Sequence, residues 1–328
     1  MYIKRLINLL TICLLSCTVF AQPETTKLHI TDGIENAKVK KQIEENVSHL
    51  FTAMDNATMY GEFPVLFDID ISSEAAKKVT SLWKTSAMIC PITVVERKCL
   101  IRPSGGYQIR DIPVTMLDAP NNEQKQDIII NFTQEGQIED VFVAVHALTE
   151  FLDPNFSGQE YTRREIIVGF VEEFRTAYNT KDIDCLEKVF SNNALIITGK
   201  VIKERPNSDQ ILINNLSKER IEYVTQTKEQ YIKKLRIIFN TVKYINVVFD
   251  DIEIMKHPKY PDIYGVSLKQ NWNASNYSDE GFLFLLIDFT ESDPVIHIRA
   301  WQPSVFNGKE LSREERFRPT SFGNITGK

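Results

Sequence analysis

The sequence predicts an α+β protein of two domains, each with helices packed on a curved antiparallel sheet. Three observations carry this expectation. Apolar residues recur every three to four positions in some segments, and alternate or run continuously in others. Helical segments come first and strands after them, and this order occurs twice. The length, 328 residues with 43% hydrophobic and 25% charged, suits two ordinary globular domains.

The chain opens with a leader pattern. Lys4 and Arg5 precede an apolar run from Leu6 to Phe20, and Val19-Phe20-Ala21 offers the small residues a signal peptidase reads. Residues 1–21 are therefore expected to be a signal peptide, and the protein periplasmic or secreted. Leu14-Leu15-Ser16-Cys17 also resembles a bacterial lipobox, so anchoring through a lipidated Cys17 is the alternative. Cleavage removes Lys4 and Arg5 and no acid, which takes the net charge from −6 to −8. Such a chain, with no basic cluster beyond Lys38, Lys40 and Lys41, lacks the positive footprint of a nucleic-acid binder. No later apolar run reaches the ~18–20 residues of a transmembrane span. Beyond the leader remain Cys90, Cys99 and Cys185. A Cys90–Cys99 bond and three unbonded thiols both fit.

The N-terminal domain is assigned to residues 22–155. Val39, Ile43, Val47, Leu50 and Met54 predict a helix over 35–56. Ser72 or Ser73 caps a second, carrying Ala75, Val79, Leu82 and Trp83. Segments 92–102, 107–117, 126–132 and 138–147 read as strands separated by Gly-, Pro- and Asn-containing turns, an antiparallel meander.

Residues 153–160, polar with Pro and Gly, mark the boundary. The C-terminal domain is assigned to 160–305, and 306–328 to a tail that drapes over it. A helix over 163–179 presents Ile167, Phe170, Val171 and Phe174. Asp184 and Glu187 predict a capping box for a short helix, and Thr227 and Gln230 one for the helix carrying Tyr231, Leu235 and Phe239. Ala194–Val201 reads as a strand, and strands follow at about 245–255, 262–273, 281–289 and 295–302. The shared order of the halves suggests a structural duplication without residue identity.

The stretch Ile167-Val-Gly-Phe-Val-Glu-Glu-Phe-Arg-Thr-Ala-Tyr-Asn-Thr-Lys-Asp182, followed by Leu186, Phe190 and Ala194-Leu-Ile-Ile197, resembles the start of nuclear transport factor 2-like domains of the SnoaL-like and ketosteroid-isomerase-like branch. Strands Tyr264–Trp272, Gly281–Phe289 and Ile298–Pro303 are similar to those of exported Bacteroidetes proteins of unknown role. The resemblance covers about 163–303. It implies a cystatin-like cone, a sheet wrapped on helices around a cavity, and leaves the first domain as a divergent copy. It does not fix an activity.

Within that frame His297, Arg299 and Trp301 alternate on one strand and are expected to share a face, giving a polar cavity end for an anionic or aromatic ligand, with His297 able to shuttle protons and so a candidate base alongside Asp288. Asp288 interrupts an apolar strand and would be a base of raised pKa if dry; an exposed strand end is its bland reading. Tyr264, Gln270 and Trp272 share a face and complete the ligand-binding set, and Tyr178 reaches the cavity mouth as a polariser. A partly solvated sheet face or a packed core accounts for the same residues without function. Asp250-Asp251-x-Glu253 lacks the spacing of a calcium loop, and the scattered His29, His49, His146 and His257 form no zinc pattern. No metal or cofactor is expected, and no nucleophile elbow or phosphate loop occurs. The Asn-x-Ser/Thr sequons, Asn46, Asn56, Asn131 and Asn273 among them, reflect composition.

Phe282-Leu-Phe-Leu-Leu-Ile287 is apolar on both faces, so both faces of its sheet should be covered. Helices supply one cover; the first domain or a second copy is expected to supply the other. Three functions compete: an exported non-catalytic protein binding a small apolar or anionic ligand or a partner, a SnoaL-like isomerase, dehydratase or cyclase, and a structural assembly module.

Overall fold

The computed structural model describes residues 25–102, 105–119, 124–145, 158–203, 219–290 and 293–322. The leader with Cys17, His146 and the boundary through residue 157 lie outside the described residues.

In the first domain β1 (Lys27–Asp32) leads into α1 (Ala37–Tyr60), whose first turn is capped by the Asn36 side chain. Next comes α2 (Ser73–Thr85), where Ser72 Oγ accepts from the Ala75 amide. Then follow β2 (Met88–Ile89), β3 (Val94–Ile101), β4 (Tyr107–Met116), β5 (Lys125–Phe132) and β6 (Ile138–Val143). The sheet order is β1-β3-β4-β5-β6, with β2 beside β4 and β1 parallel to β3. Both helices bury their apolar stripes on one sheet face, with Ile43, Leu50 and Val79 against Ile109, Ile112 and Ile130. Cys90 and Cys99 are unbonded, as is Cys185.

The second domain begins with α3 (Gly158–Asn179) and α4 (Ile183–Val189). Asp182, not Asp184, caps α4: its carboxylate accepts from the Cys185 amide. After β7 (Phe190–Lys203) and β8 (Glu219–Thr227), the Thr227–Gln230 capping box starts α5 (Lys228–Thr241) as predicted. The strands β9 (Ile245–Lys256), β10 (Ile263–Ala274), β11 (Tyr277–Asp288) and β12 (Val295–Pro303) form a meander. The order is β8-β7-β12-β11-β10-β9, and only β7 and β12 run parallel. The layering matches the cone that the resemblance implies. The connectivity is not repeated between domains: the early strand adds to the first meander strand in one sheet, and to the last in the other. The two domains thus share their layering and not their strand order.

Helix α3 is the keystone. Its Val171, Phe174 and Tyr178 enter the second core, while Glu172, Arg175 and Thr176 face the first sheet, and all six are buried. Arg110 on β4 makes a two-pronged pair with Glu172 at 2.5 and 3.1 Å. The Val145 amide also donates to Glu172 Oε1, and Val143 donates to Thr176 Oγ1. Arg175 donates to Gln126 of the first domain and to the carbonyl of Val247 in the second. A bulge aims Arg110 at the helix: Ile109 and Ile112 both enter the core, and Asp111 between them takes φ 57°.

The outer face of the second sheet receives a cover from within its own chain. Its apolar residues Ile197, Ile263, Phe284, Leu286, Ile298 and Ala300 pack against Phe317 and Phe322 of the chain's own tail. A hairpin of β13 (Val305–Phe306) and β14 (Lys309–Glu310), turning through Asn307 and Gly308 at positive φ, directs the tail back across the sheet. Gly265 makes room for it, since a Cβ there would lie 2.7 Å from Pro319.

Candidate functional site

The pairing of β10 with β11 runs without slip, so parity assigns faces directly. Tyr264, Val266, Leu268, Gln270 and Trp272 face inward, as do Asp279, Gly281, Leu283, Leu285 and Ile287. On β12 the parity breaks. Ile296 belongs to the inner core and Ile298 to the outer one, and the register slips at His297 against both neighbouring strands. His297 is thereby carried to the outer side, where its Nε2 lies 2.9 Å from Asp288 Oδ2. Arg299 and Trp301 return to the inside, Arg299 over the Tyr231 ring and Trp301 against the core. The expected sharing of one face by His297, Arg299 and Trp301 is thus corrected, because a bulge adds one residue between them.

Asp288 is also corrected. It pairs across β10 with outward-facing Ile263 and lies at the strand end. Burial pushes its carboxyl up, but hydrogen bonds from Thr290 and His297 outweigh burial and hold it below the ordinary carboxylate range. It is a fixed anion rather than a base of raised pKa. Tyr264 sits at the opposite end of β10 from Trp272, with its hydroxyl donating to Glu160 at 3.1 Å. It is separate from the remaining ligand-binding set.

What does converge is Gln270, Trp272, Arg299, Trp301 and Tyr178, joined by Tyr231 and Asp279. Tyr178 is fully buried rather than at a mouth; its hydroxyl meets that of Tyr231 at 2.5 Å and accepts from Arg299. The Arg299 guanidinium stands 5.1 Å from the centre of the Tyr231 ring, a cation–π contact. Trp272 packs edge-on to Tyr178 at 5.5 Å. Trp301 lies over Gly281, where a Cβ would come within 2.4 Å of the indole. Deeper in the cone, Phe174 packs against Tyr178, Phe190 and Phe249. The deep interior is filled with rings, so the hollow that the resemblance implied does not extend there. Surface hollows occur elsewhere, such as one of about 660 Å³ beside Asp184, Lys188 and Lys228.

Burial works against the Arg299 charge, but the phenols of Tyr231 and Tyr178 and the Asp279 carboxylate hold it in the charged form. Burial pushes the Tyr231 phenol well above its ordinary value, so Tyr231 remains a hydrogen-bond donor. Asp279 is raised by burial, against the Tyr277 hydroxyl that donates to it at 2.6 Å and the charge of Arg299. Three polar atoms on these inward residues are buried and have no hydrogen-bond partner among the described residues: Arg299 Nε, Gln270 Oε1 and Trp301 Nε1. Together they offer two donors and an acceptor beside aromatic surface. Among the described residues no cluster of three or more metal-ligating side chains occurs.

Asp279 and Tyr231 escaped the sequence reading. Parity counted back from Leu283 along β11 places Asp279 on the inner face, but the strand was expected to begin only at residue 281. Tyr231 lies on the apolar face of its helix, and nothing in its spacing marks a hydroxyl partner.

No family model matches the sequence, and no curated protein does. Among solved structures, the chain is similar to Bd1075 of Bdellovibrio bacteriovorus, with 13% identity, 63% of this chain and 74% of that one covered, and a TM-score of 0.33. It is also similar to a nuclear transport factor 2-like protein from Cytophaga hutchinsonii, with 15% identity, 45% and 99% covered, and a TM-score of 0.32. A candidate dehydratase of the same family from Streptomyces avermitilis matches at 10% identity, 43% and 96% covered, with a TM-score of 0.32. Likeness at this level assigns neither chemistry nor partner.

Proposed function

We propose that the chain is an exported, non-catalytic binding protein of the cell envelope. Its ligand is a small molecule that sets an anionic or carbonyl group against Arg299 and Trp301 and an apolar or aromatic body against Trp272. The carrying observation is the set of three buried polar atoms without protein partners on adjoining strands. A buried donor or acceptor left unmade costs ~1–3 kcal/mol, and such groups are rare in native proteins unless they serve something. Asp279, Trp272 and Trp301 beside them are half-buried, so the corner lies near the surface. The leader pattern of residues 1–21 supports export, and Cys17 supplies a lipid anchor in the alternative.

One observation favours a second reading, a SnoaL-like isomerase, dehydratase or cyclase. Asp279 has a carboxyl raised by burial close to a fixed guanidinium, as an acid–base group requires. In that reading Asp279 takes the role first assigned to Asp288.

The test is native mass spectrometry of the mature chain purified without denaturation, beside Arg299→Ala and Trp301→Ala. A discrete small-molecule adduct on the wild type that both variants lose supports binding. The same bare mass for all three refutes it. A ligand returned chemically altered in an Asp279-dependent manner selects the enzyme.

A further inference from the structure

The tail that closes the outer sheet face is held by charge as well as by packing. Arg313 and Arg316 both bond Asp251, at 3.0 and 2.5 Å, and Arg318 reaches Glu253 at 3.8 Å. Asp251 stands out from β9 because the strand bulges there, taking φ 44° between rungs Ser267–Glu253 and Lys269–Asp250. Lys269 adds a tie to Glu310, shared with Glu280. The Arg316 guanidinium also lies 3.6 Å from the centre of the Phe282 ring. Gln302 grips the tail from β12: its Oε1 accepts from the Phe317 amide and its Nε2 donates to the Glu315 carbonyl.

These grips sit on the rung Lys269–Phe282–Gln302, between the rung that carries Gln270 and Gly281 and the rung that carries Trp301. Lys269, Phe282 and Gln302 face outward, and each is the chain neighbour of an inward residue: Gln270, Gly281 and Trp301. The strap therefore clamps the back of the strands whose fronts carry the unpartnered donors and acceptor.

We propose that residues 311–322 form a releasable electrostatic strap, latched by Arg313, Arg316 and Arg318 on Asp251 and Glu253, whose opening loosens the Gln270–Gly281–Trp301 corner from behind. Partly exposed ion pairs are individually weak and fade with salt, whereas the Phe317 and Phe322 contacts do not. The strap thus has a charge-dependent latch on a salt-indifferent apolar seat. Only the coupling to the corner rests on the ligand-site reading; the latch stands on its own.

The test is hydrogen exchange on the full mature chain, with no ligand present. Exchange of the tail amides, Phe317 included, should quicken about tenfold between about 0.02 and about 0.5 M salt. Asp251→Asn should exchange faster already at low salt and lose most of the salt dependence, the Arg318–Glu253 pair keeping the remainder. Phe317→Ala should be fast throughout yet keep it. Exchange in 280–283 and 299–303 should rise together with the tail. Salt-independent tail exchange in the wild type, or an Asp251→Asn chain as protected as the wild type, overturns the latch. A tail that opens while 280–283 and 299–303 stay equally protected overturns the coupling and leaves the ligand reading untouched.

Discussion

Glu172 is 1% exposed and its partner Arg110 6%, so replacing Glu172 leaves a guanidinium buried between domains whose remaining hydrogen-bond partner among the described residues is Gln108. Breaking a buried pair from one side costs about 3–5 kcal/mol, much of it the uncompensated charge. Glu172→Leu should therefore lower the unfolding midpoint by roughly 6–20 °C at about 2–4 °C per kcal/mol for a chain of this scale. Replacing both partners, Arg110→Met with Glu172→Leu, removes the stranded charge and should recover most of that loss. Recovery stays incomplete because the Val145 amide also donates to Glu172, and an unmade buried donor costs ~1–3 kcal/mol. Thermal unfolding followed by circular dichroism gives the midpoint shifts, and urea unfolding the free energies of the single and double variants. A single variant within about 1 kcal/mol of wild type, or a double variant as unstable as the single, refutes α3 as the polar keystone between the sheets.

Gly281→Ala should cost about 1–3 kcal/mol by overpacking, because its Cβ meets both the Trp301 indole and the Gln302 carbonyl; altered tryptophan emission would report the displaced ring. The Asp251 carboxyl, pushed up by burial but pulled further down by Arg316 and Arg313, titrates below its unfolded value. Its contribution to stability is complete above the unfolded pKa and is lost as pH falls through the folded one. The stability gap between wild type and Asp251→Asn should accordingly close on acidification below about pH 4, as urea unfolding across that range would read. Burial pushes the Cys99 thiol up to about 12, and burial together with the Glu173 and Asp182 charges does the same for Cys185. Both should resist alkylation at pH 8 in the folded chain and react on unfolding, which a mass-detected labelling time course would follow.

The elements legible in the sequence were those with strong periodicity or a marked end. The α1 stripe, the Ser72 cap and the Thr227–Gln230 box are local patterns, and local chemistry settles them. β1 and β8 were passed over for opposite reasons. β1 offers just Leu28 and Ile30 as inward residues, while β8 is a polar strand at the sheet edge. The bulges at Asp111 and His297 were invisible because each depends on the neighbouring strand's register, which no single segment carries. That one extra residue moved His297 out of the candidate site. Arg299, Trp301, Gln270 and Trp272 were found because parity within their strands holds. Nothing in the sequence marks Arg110, Glu172 and Arg175 as buried; their burial follows from α3 being packed on both sides.

Arg299 and Trp301 carry side-chain N–H groups that report their own surroundings, and Trp83 in the first domain serves as an internal reference. Titrating isotopically labelled mature chain with an aromatic carboxylate such as benzoate, the account predicts that the Arg299 Nε–H and Trp301 Nε1–H resonances move together and saturably while that of Trp83 stays still. Resonances that never move across a panel of aromatic and aliphatic carboxylates and carbonyl compounds, or that shift equally with Trp83, would contradict it.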